Sequence, residues 1–271
     1  MKKFELTDKF IEHPSGIKFY RIRALRNFRN VKKGDLGGYL ESESNLAHQG
    51  DCWVAGQAQV FDNAQVSGGA QVSGDAQVSS GAQVSGEACV IGDARVLGDA
   101  LVSGEACVMG NAYVAGNAKV YGNARVSDNA RVYGNAKIFG NARVYGNIDV
   151  YRNAQVYGYA QVSGYAEVSG NAQVLGDARV AGYAQVRGNA FIKDKTHVFS
   201  VNDVGSENGT LTVFPGKNGL LVTRGCFVGT VDEFLEASKE VHDDVTHREY
   251  QLLLEVAKSR ITNPFYLRKR D

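Results

Sequence analysis

The chain has 271 residues, and its 30 Lys and Arg against 29 Asp and Glu leave a formal net charge of +1. This balance excludes a strong global attraction to nucleic acid or to an anionic membrane surface. The sequence begins without an apolar signal core, no apolar run approaches the length of a membrane span, and the four Cys have no metal-ligand spacing. We therefore expect a cytoplasmic protein with reduced thiols, no membrane partner and no metal or cofactor.

Residues 1–53 are predicted to form an N-terminal capping segment. Residues 17–25 are rich in apolar and aromatic side chains and predict a strand. The Gly-rich stretch 32–39 fits either an anion-binding loop or a tight turn that starts the first coil. We favour the turn, because Gly37 and Gly38 lack the longer pattern of a phosphate-binding loop.

An imperfect first coil is predicted at residues 36–53. Leu40, Leu46 and Cys52 extend backwards, at intervals of six, a column of small residues that continues through the next part of the chain. Their larger side chains are expected to plug the open end of the fold, which would otherwise expose an unpaired sheet edge.

One six-residue phrase then repeats without a gap, and its segment is predicted to span residues 54–194. Every sixth position from 54 to 192 is Val, or Ile at 138 and 192, which makes 24 consecutive aliphatic positions. Ala stands four residues after each of them up to position 190, with Ile148 as the exception. Gly stands two residues after each, except at Asp62, Ser80, Asp128, Arg152 and Asp194. A short fixed period of this kind indicates a solenoid.

Each phrase combines a short strand with a tight corner. Ala and Val are two residues apart, so both point to one side of an extended segment and the residue between them points outward. Gly followed by Asn or Asp turns the chain, because Gly adopts positive φ freely and Asn tolerates it. Three phrases make an 18-residue turn, and the 24 phrases predict about eight turns of a parallel β-helix. At Arg152, a positive φ would cost energy, so the corner either changes conformation or is held for a reason.

The outward positions provide the candidate binding surface. Residues 18 apart lie side by side on neighbouring turns, and the stretch 119–152 is mostly basic. Stacked aromatic rings flanked by cations can receive a sugar, a base or a partner's side chain, whereas ladders of like residues also simply stabilise parallel strands. We name the candidate surface the aromatic-basic band, and its residues are Lys119, Tyr121, Arg125, Lys137, Phe139, Arg143 and Tyr157.

A second outward surface, the apolar patch, predicts a contact between subunits. Its residues are Cys89, Ile91, Cys107 and Met109. Cys89 and Cys107 are 18 residues apart, so they are expected to face each other on adjacent turns, within reach of a disulfide. Two small wall residues in a reducing compartment are the favoured interpretation of this pair.

Residues 195–271 are predicted to form an α+β capping or interaction module that covers the last coil. The predicted strands are 198–204, 209–214 and 220–224. Capping boxes that begin at Thr230 and Thr246 predict two helices.

The repeated phrase resembles the hexapeptide repeat of the left-handed parallel β-helix superfamily, over about half of the chain. The resemblance implies a left-handed coil and an assembly of several copies, with a trimer favoured. The superfamily contains acyltransferases, γ-type carbonic anhydrases, ice-binding proteins and repeat-only proteins of bacteria and phages. Fold alone does not choose among these functions.

The distribution of His favours a non-catalytic member. Resemblance to the acyltransferases implies a catalytic His on or beside the repeat and a loop that leaves it, and resemblance to the carbonic anhydrases implies three His around a metal. No His and no loop excursion occur between residues 49 and 196. Ice binding in this fold implies Thr ladders, yet no Thr occurs between Thr7 and Thr196.

The sequence therefore predicts an all-β solenoid that acts as a structural or binding scaffold of bacterial or phage origin. Its aromatic-basic band would face a protein partner or a small anionic ligand, and nucleic acid is disfavoured. Two alternatives stay open. One is an acyl- or nucleotide-sugar transferase that uses His48 or His197 at an end of the coil. The other is a phage anti-defence factor that sequesters a host protein or a nucleotide.

Overall fold

The computed structural model describes residues 2–13 and 16–262. The chain divides into two compact units, Met1–Asn141 and Ala142–Asp271, which we call the N-terminal and the C-terminal unit.

The N-terminal unit begins with a three-stranded segment. Strand β1 (Phe4–Glu12) pairs antiparallel with β2 (Lys18–Ala24), and β2 pairs antiparallel with β3 (Leu36–Leu40). Strand β2 confirms the strand predicted at residues 17–25, whereas β1 was not predicted. Tyr39 and Leu40 of β3 already pair in parallel with the first solenoid turn.

The end of the first turn is closed by buried side chains, as the sequence predicts for Leu40, Leu46 and Cys52. A fourth plug, Lys3, was not predicted. Its side chain is completely buried, and its Nζ donates a hydrogen bond to the carbonyl oxygen of Cys52 at 2.8 Å.

The rest of the N-terminal unit consists of short parallel strands. Strands β4 to β18 are, in chain order, Trp53–Val54, Gln59–Val60, Gln65–Val66, Gln71–Gly74, Gln77–Val78, Gln83–Val84, Cys89–Gly92, Arg95–Val96, Leu101–Val102, Cys107–Gly110, Tyr113–Val114, Lys119–Val120, Arg125–Asp128, Arg131–Val132 and Lys137–Ile138. Every third strand is a neighbour in the same sheet, which gives three walls. One wall contains β5, β8, β11, β14 and β17, the second β4, β7, β10, β13 and β16, and the third β6, β9, β12, β15 and β18. Paired residues are 18 apart, as for Val60 and Val78.

The C-terminal unit repeats this arrangement in strands β19 to β27. They are Arg143–Gly146, Asp149–Val150, Gln155–Val156, Gln161–Val162, Glu167–Val168, Gln173–Val174, Arg179–Val180, Gln185–Val186 and Phe191–Ile192. Its walls contain β20, β23 and β26, then β19, β22 and β25, and then β21, β24 and β27. Both units are thus built from parallel β-solenoid turns, which confirms the predicted fold class.

The solenoid core is made of the two predicted columns. Each Val or Ile of the repeat, from Val54 to Ile192, is no more than 1% exposed, and the Ala column from Ala58 to Ala190 is equally buried, with 2% as its highest exposure. At the corners, Asp62, Ser80, Asp128 and Arg152 take the positive φ values that Gly takes elsewhere in the repeat. The local phrase therefore fixes both the core and the corners.

A four-stranded antiparallel sheet follows in the C-terminal unit. It consists of β28 (Phe199–Val204), β29 (Gly209–Gly216), β30 (Gly219–Arg224) and β31 (Phe227–Thr230), in that order. The first three strands confirm the predicted ones, and β31 was not predicted. The sheet contacts the last turn through Gln185, whose backbone N–H donates to Thr212 Oγ1 and whose carbonyl accepts from Thr223 Oγ1.

Two helices, α1 (Val231–Val241) and α2 (Asp244–Thr262), complete the module. The capping box predicted at Thr230 is confirmed, since Thr230 and Glu233 exchange both hydrogen bonds. The one predicted at Thr246 is wrong. Helix α2 already begins at Asp244, before Thr246, and the Asp243 carboxylate accepts the Thr246 backbone N–H at 2.8 Å. A carboxylate near a helix N-terminus is also favoured by the helix dipole. Within the described residues, neither helix is long and apolar enough to cross a membrane.

Candidate functional site

The centre of the aromatic-basic band lies on one wall of the N-terminal unit. Lys119 on β15 is paired in parallel register with Lys137 on β18. The next residue of each strand, Val120 or Ile138, points into the core, so both Lys side chains point outward and are exposed. Neighbouring strands are about 4.8 Å apart, which places the two ammonium stems side by side.

An aromatic stack flanks the two lysines. The rings of Tyr121 and Phe139 are parallel within 2°, and their centroids are 4.9 Å apart. Both rings are half-buried. Burial raises the pKa of Tyr121, so its hydroxyl remains a neutral hydrogen-bond donor at physiological pH. The stack presents a rigid, partly apolar surface beside two positive charges.

The two lysines are not neutralised by the part of the chain that the structure describes. Neither Lys119 nor Lys137 forms an ion pair with any residue of 2–13 or 16–262. Like charges directly opposite each other on adjacent strands destabilise a sheet. This arrangement favours an external anion, which would relieve the repulsion.

The other three band residues are divided between the two units. Arg125 is exposed on β16, opposite Cys107, and therefore belongs to a different wall of the N-terminal unit from Lys119. Arg143 and Tyr157 belong to the C-terminal unit. Arg143 is exposed on β19, and the Tyr157 hydroxyl donates to Gln173 Oε1 at 3.2 Å.

The apolar patch is continuous on β10 and β13. Ile91 is paired with Met109, and Cys89 with Cys107. Ile91 is 39% exposed, whereas the inward-facing Val90 beside it is completely buried. Burial, together with the adjacent Cys89, raises the pKa of the Cys107 thiol to about 11, so it stays protonated at neutral pH. Both thiols are free.

A carboxylate-centred network in the C-terminal unit escaped the sequence reasoning. Glu167 accepts hydrogen bonds from the Tyr151 hydroxyl at 2.5 Å and from Arg187 through Nε at 3.0 Å and Nη2 at 2.7 Å. Burial works to raise the pKa of Glu167, but the hydrogen bonds from Arg187, Tyr151 and Ser169 outweigh it and hold the pKa below its ordinary value. Burial and the bond to Glu167 raise the pKa of Tyr151. The network fixes the Arg187 side chain in one place.

Three exposed corner tyrosines were also missed. Tyr159, Tyr165 and Tyr183 are 65%, 57% and 52% exposed, and the rings of Tyr165 and Tyr183 stack at 5.1 Å. The signal was present in the sequence, because Tyr here replaces the Asn or Asp that usually follows the corner Gly.

The two histidines required by the transferase alternative are engaged with the backbone. The His48 ring stacks on Phe4, and its Nδ1 accepts the Lys3 N–H at 3.2 Å. The Nδ1 of His197 accepts the Lys193 N–H at 3.3 Å, and burial lowers the pKa of His197. Across residues 2–13 and 16–262, no group of three or more His, Cys, Asp or Glu is arranged to hold a metal ion.

Comparison with known protein families gave one match. Three segments, residues 58–74, 118–134 and 124–137, are similar to the family described as "YdcK Beta solenoid repeat". The last two segments overlap, and together they contain Lys119, Tyr121 and Lys137. A search of curated proteins gave no match. The matched segments and the observed turns both indicate β-solenoid repeats.

Proposed function

We propose that this chain is a non-catalytic β-solenoid scaffold that binds an acidic segment of a partner protein. The binding surface is the wall that carries Lys119, Tyr121, Lys137 and Phe139. The observation that supports this proposal most strongly is the pair of adjacent, exposed lysines that have no carboxylate partner among the described residues.

The energetics favour an acidic partner. A carboxylate placed between Lys119 and Lys137 replaces a repulsive contact with two attractive ones. The neighbouring rings add contact area at little entropic cost, since aromatic side chains lose few rotamers on binding. Such a surface selects negative charge through the lysines and gains affinity through Tyr121 and Phe139.

The shape of a solenoid wall favours a polypeptide over a small molecule. Repeat proteins present extended surfaces on which an elongated partner makes the same kind of contact on successive turns. Small molecules are usually bound in concave pockets that cover most of their surface. Lys119, Lys137 and the stacked rings lie on a wall of parallel strands, where an acidic segment can follow the stack.

We place the chain beside the repeat-only bacterial and phage proteins of the hexapeptide superfamily, in the cytoplasm, as a homo-oligomer that associates through the apolar patch. The uninterrupted repeat and the exposed Ile91 support this placement. A phage anti-defence factor that sequesters a host protein would be a special case of the proposal, whereas one that sequesters a nucleotide would not use an acidic protein segment. The transferase alternative would instead need His48 or His197 to give up a hydrogen bond to the backbone.

The test uses a fluorescein-labelled polyglutamate peptide and fluorescence anisotropy. We expect the wild-type protein to bind the peptide, and the variant Tyr121→Ala, Phe139→Ala, Lys137→Glu to bind at least about tenfold more weakly. Its β-sheet spectrum and melting temperature should stay close to those of the wild type, because all three side chains lie outside the core.

A matched control is available on another wall of the N-terminal unit. Arg95 on β11 is paired with Tyr113 on β14, so the variant Arg95→Glu, Tyr113→Ala removes a cation and a ring of the same kind. This control should bind the peptide as tightly as the wild type. Equal binding by the triple variant and the wild type would contradict the proposal, as would a wild-type protein that does not bind the peptide at millimolar concentration.

A further inference from the structure

The C-terminal unit contains a cavity of about 580 Å³ beside its last solenoid turns. Arg152 and Arg187 line it together with the corner residue Asn189, and Cys226 and Val228 of the antiparallel sheet region form its other side. None of the described lining residues is Asp or Glu. One side of the cavity therefore carries two guanidinium groups, of which that of Arg187 is paired with Glu167, and the other side is weakly polar.

Arg152 is held in an unfavourable conformation at the rim of this cavity. Its φ is 59°, at a corner where the repeat ordinarily has Gly. Asp or Ser occupies the three comparable corners with positive φ, and these side chains are short and polar. The long cationic side chain of Arg152 does not stabilise this backbone conformation. Its guanidinium lies 5.7 Å from the centroid of the Tyr151 ring, and it forms no ion pair within the described chain. Strain of this kind is commonly retained at binding sites.

Arg187 can bind a second acceptor group in addition to Glu167. A guanidinium has five N–H donors. Two N–H donors of Arg187 bond to Glu167, and a third donates to the Gly225 carbonyl at 3.0 Å. Two donors remain, and the ion pair with Glu167 fixes the position of the side chain that carries them. Preorganised donors bind an anion without the entropic cost of ordering a flexible side chain.

The backbone adds a further donor at the same end. At many corners the N–H donates to the next turn, as Asn171 N does to the Gly188 carbonyl at 2.8 Å. Asn189 occupies the equivalent corner of the last turn, and its backbone N–H has no acceptor among the described residues. Asn189 is exposed and is one of the residues that line the cavity, so an unpaired donor lies on a residue of the cavity wall. Exposed backbone N–H groups beside cations are typical of anion-binding sites.

We infer that this cavity binds a phosphate group carried by a small molecule. Two arginines and a backbone N–H match the acceptor oxygens of a phosphate, because the planar guanidinium fork can bond two of these oxygens at once. A water molecule occupies about 30 Å³ in the liquid, so the cavity has room for an organic moiety in addition to the ion. That moiety would lie against Val228 and Cys226. This site is separate from the wall proposed above to bind an acidic partner.

The experiment is isothermal titration calorimetry of the full chain with inorganic phosphate, pyrophosphate and ADP. We expect binding of at least one of them, and Arg152→Gly should weaken it at least about tenfold. Gly restores the ordinary corner residue, so the melting temperature of this variant should equal or exceed that of the wild type. If ADP binds more tightly than inorganic phosphate, the ligand of the cavity is a phosphorylated small molecule. If the two bind equally, the ligand is the free phosphate ion.

Two further variants separate the site from the fold. Ser80→Gly relieves a corner with a φ of 60° in the N-terminal unit, and it should leave binding unchanged. Cys226→Asp places a negative charge at an exposed position on the cavity wall, and it should weaken binding without unfolding the protein. The inference is overturned if the wild type binds none of the three probes at millimolar concentration, or if Arg152→Gly and Cys226→Asp bind them as the wild type does.

Discussion

Replacement of Lys3 tests how the first turn of the N-terminal unit is closed. The Lys3 Nζ lies 2.8 Å from the Cys52 carbonyl oxygen, 3.0 Å from the Cys52 sulfur and 3.5 Å from the Gly50 carbonyl oxygen. The Phe28 ring centroid is 5.4 Å away. An ammonium group buried without acceptors would strongly destabilise the fold, so these contacts offset the loss of its hydration.

The size of the effect depends on which part of the side chain is removed. Lys3→Met keeps the apolar stem and removes the charge. It leaves the Cys52 carbonyl without its donor, which costs about 1–3 kcal/mol, but it also removes the desolvation cost of a buried ion. The two terms oppose each other, and we expect a net loss of no more than about 2 kcal/mol. Lys3→Ala also deletes about three buried methylene groups at about 0.8 kcal/mol each and leaves a cavity, for a total loss of about 3–5 kcal/mol.

The assay is urea denaturation followed by the fluorescence of Trp53. This is the only Trp of the chain, it is 4% exposed, and it follows Cys52 directly. Its signal therefore reports the unfolding of the first turn. If Lys3→Ala changes the free energy of unfolding by less than about 1 kcal/mol, Lys3 does not close the turn and the reasoning is refuted.

Three other predictions concern the core, the pH dependence and the assembly. Val126→Asp should unfold or aggregate the protein, because it buries an unpaired charge where Val contributes about 1.5–3 kcal/mol; a soluble variant with unchanged melting temperature would contradict the inward position of the column. Glu167→Gln should lower the free energy of unfolding at pH 7 by about 1–3 kcal/mol. The pKa of Glu167 is lower in the folded protein than the ordinary carboxyl value of 4.5, so this stabilisation is complete above pH 4.5 and is lost as the pH falls through the folded value. In urea denaturation experiments, the free energies of unfolding of the wild type and the variant should therefore converge as the pH is lowered below 4.5. We predict a trimer by light scattering and a smaller native mass for Ile91→Lys, Met109→Lys; an unchanged mass would exclude the apolar patch as the contact.

The repeat could be predicted because its information is local. Within one phrase, Ala124 and Val126 face inward and the following corner turns the chain, so six residues specify a strand, a core position and a bend. The six-residue spacing of the repeat also predicts a corner at Arg152, and its φ is positive there. Stacking of Tyr121 on Phe139 required only the 18-residue period, which the corners set.

The features that were missed depend on contacts that the period does not contain. Lys3 reaches Cys52 across 49 positions, outside the repeat. Tyr151 and Arg187 reach Glu167 across 16 and 20 positions, because their long side chains cross to the neighbouring turn diagonally. Composition and spacing do not specify the direction of a long side chain, so these networks become visible only in three dimensions.

The start of helix α2 shows a different limit. Asp243 and Thr246 both occur where a helix can begin, and local rules rank them closely. The structure uses Asp243, whose carboxylate accepts the Thr246 N–H. The packing of the helix makes the choice between two acceptable caps, because Tyr250 and Leu254 are buried in a core that they share with Leu211 and Val213 of the antiparallel sheet.

The most direct test of the proposed binding wall is the single change Lys119→Glu, measured for stability and for peptide binding in the same preparation. Glu opposite Lys137 forms a cross-strand ion pair in place of the repulsion, which should stabilise the protein by about 0.2–1 kcal/mol. If the two lysines exist to bind an acidic partner, this more stable variant binds the polyglutamate peptide at least about tenfold more weakly than the wild type. If the affinity is unchanged while the stability rises, the lysines have no part in binding and the account of this wall is contradicted.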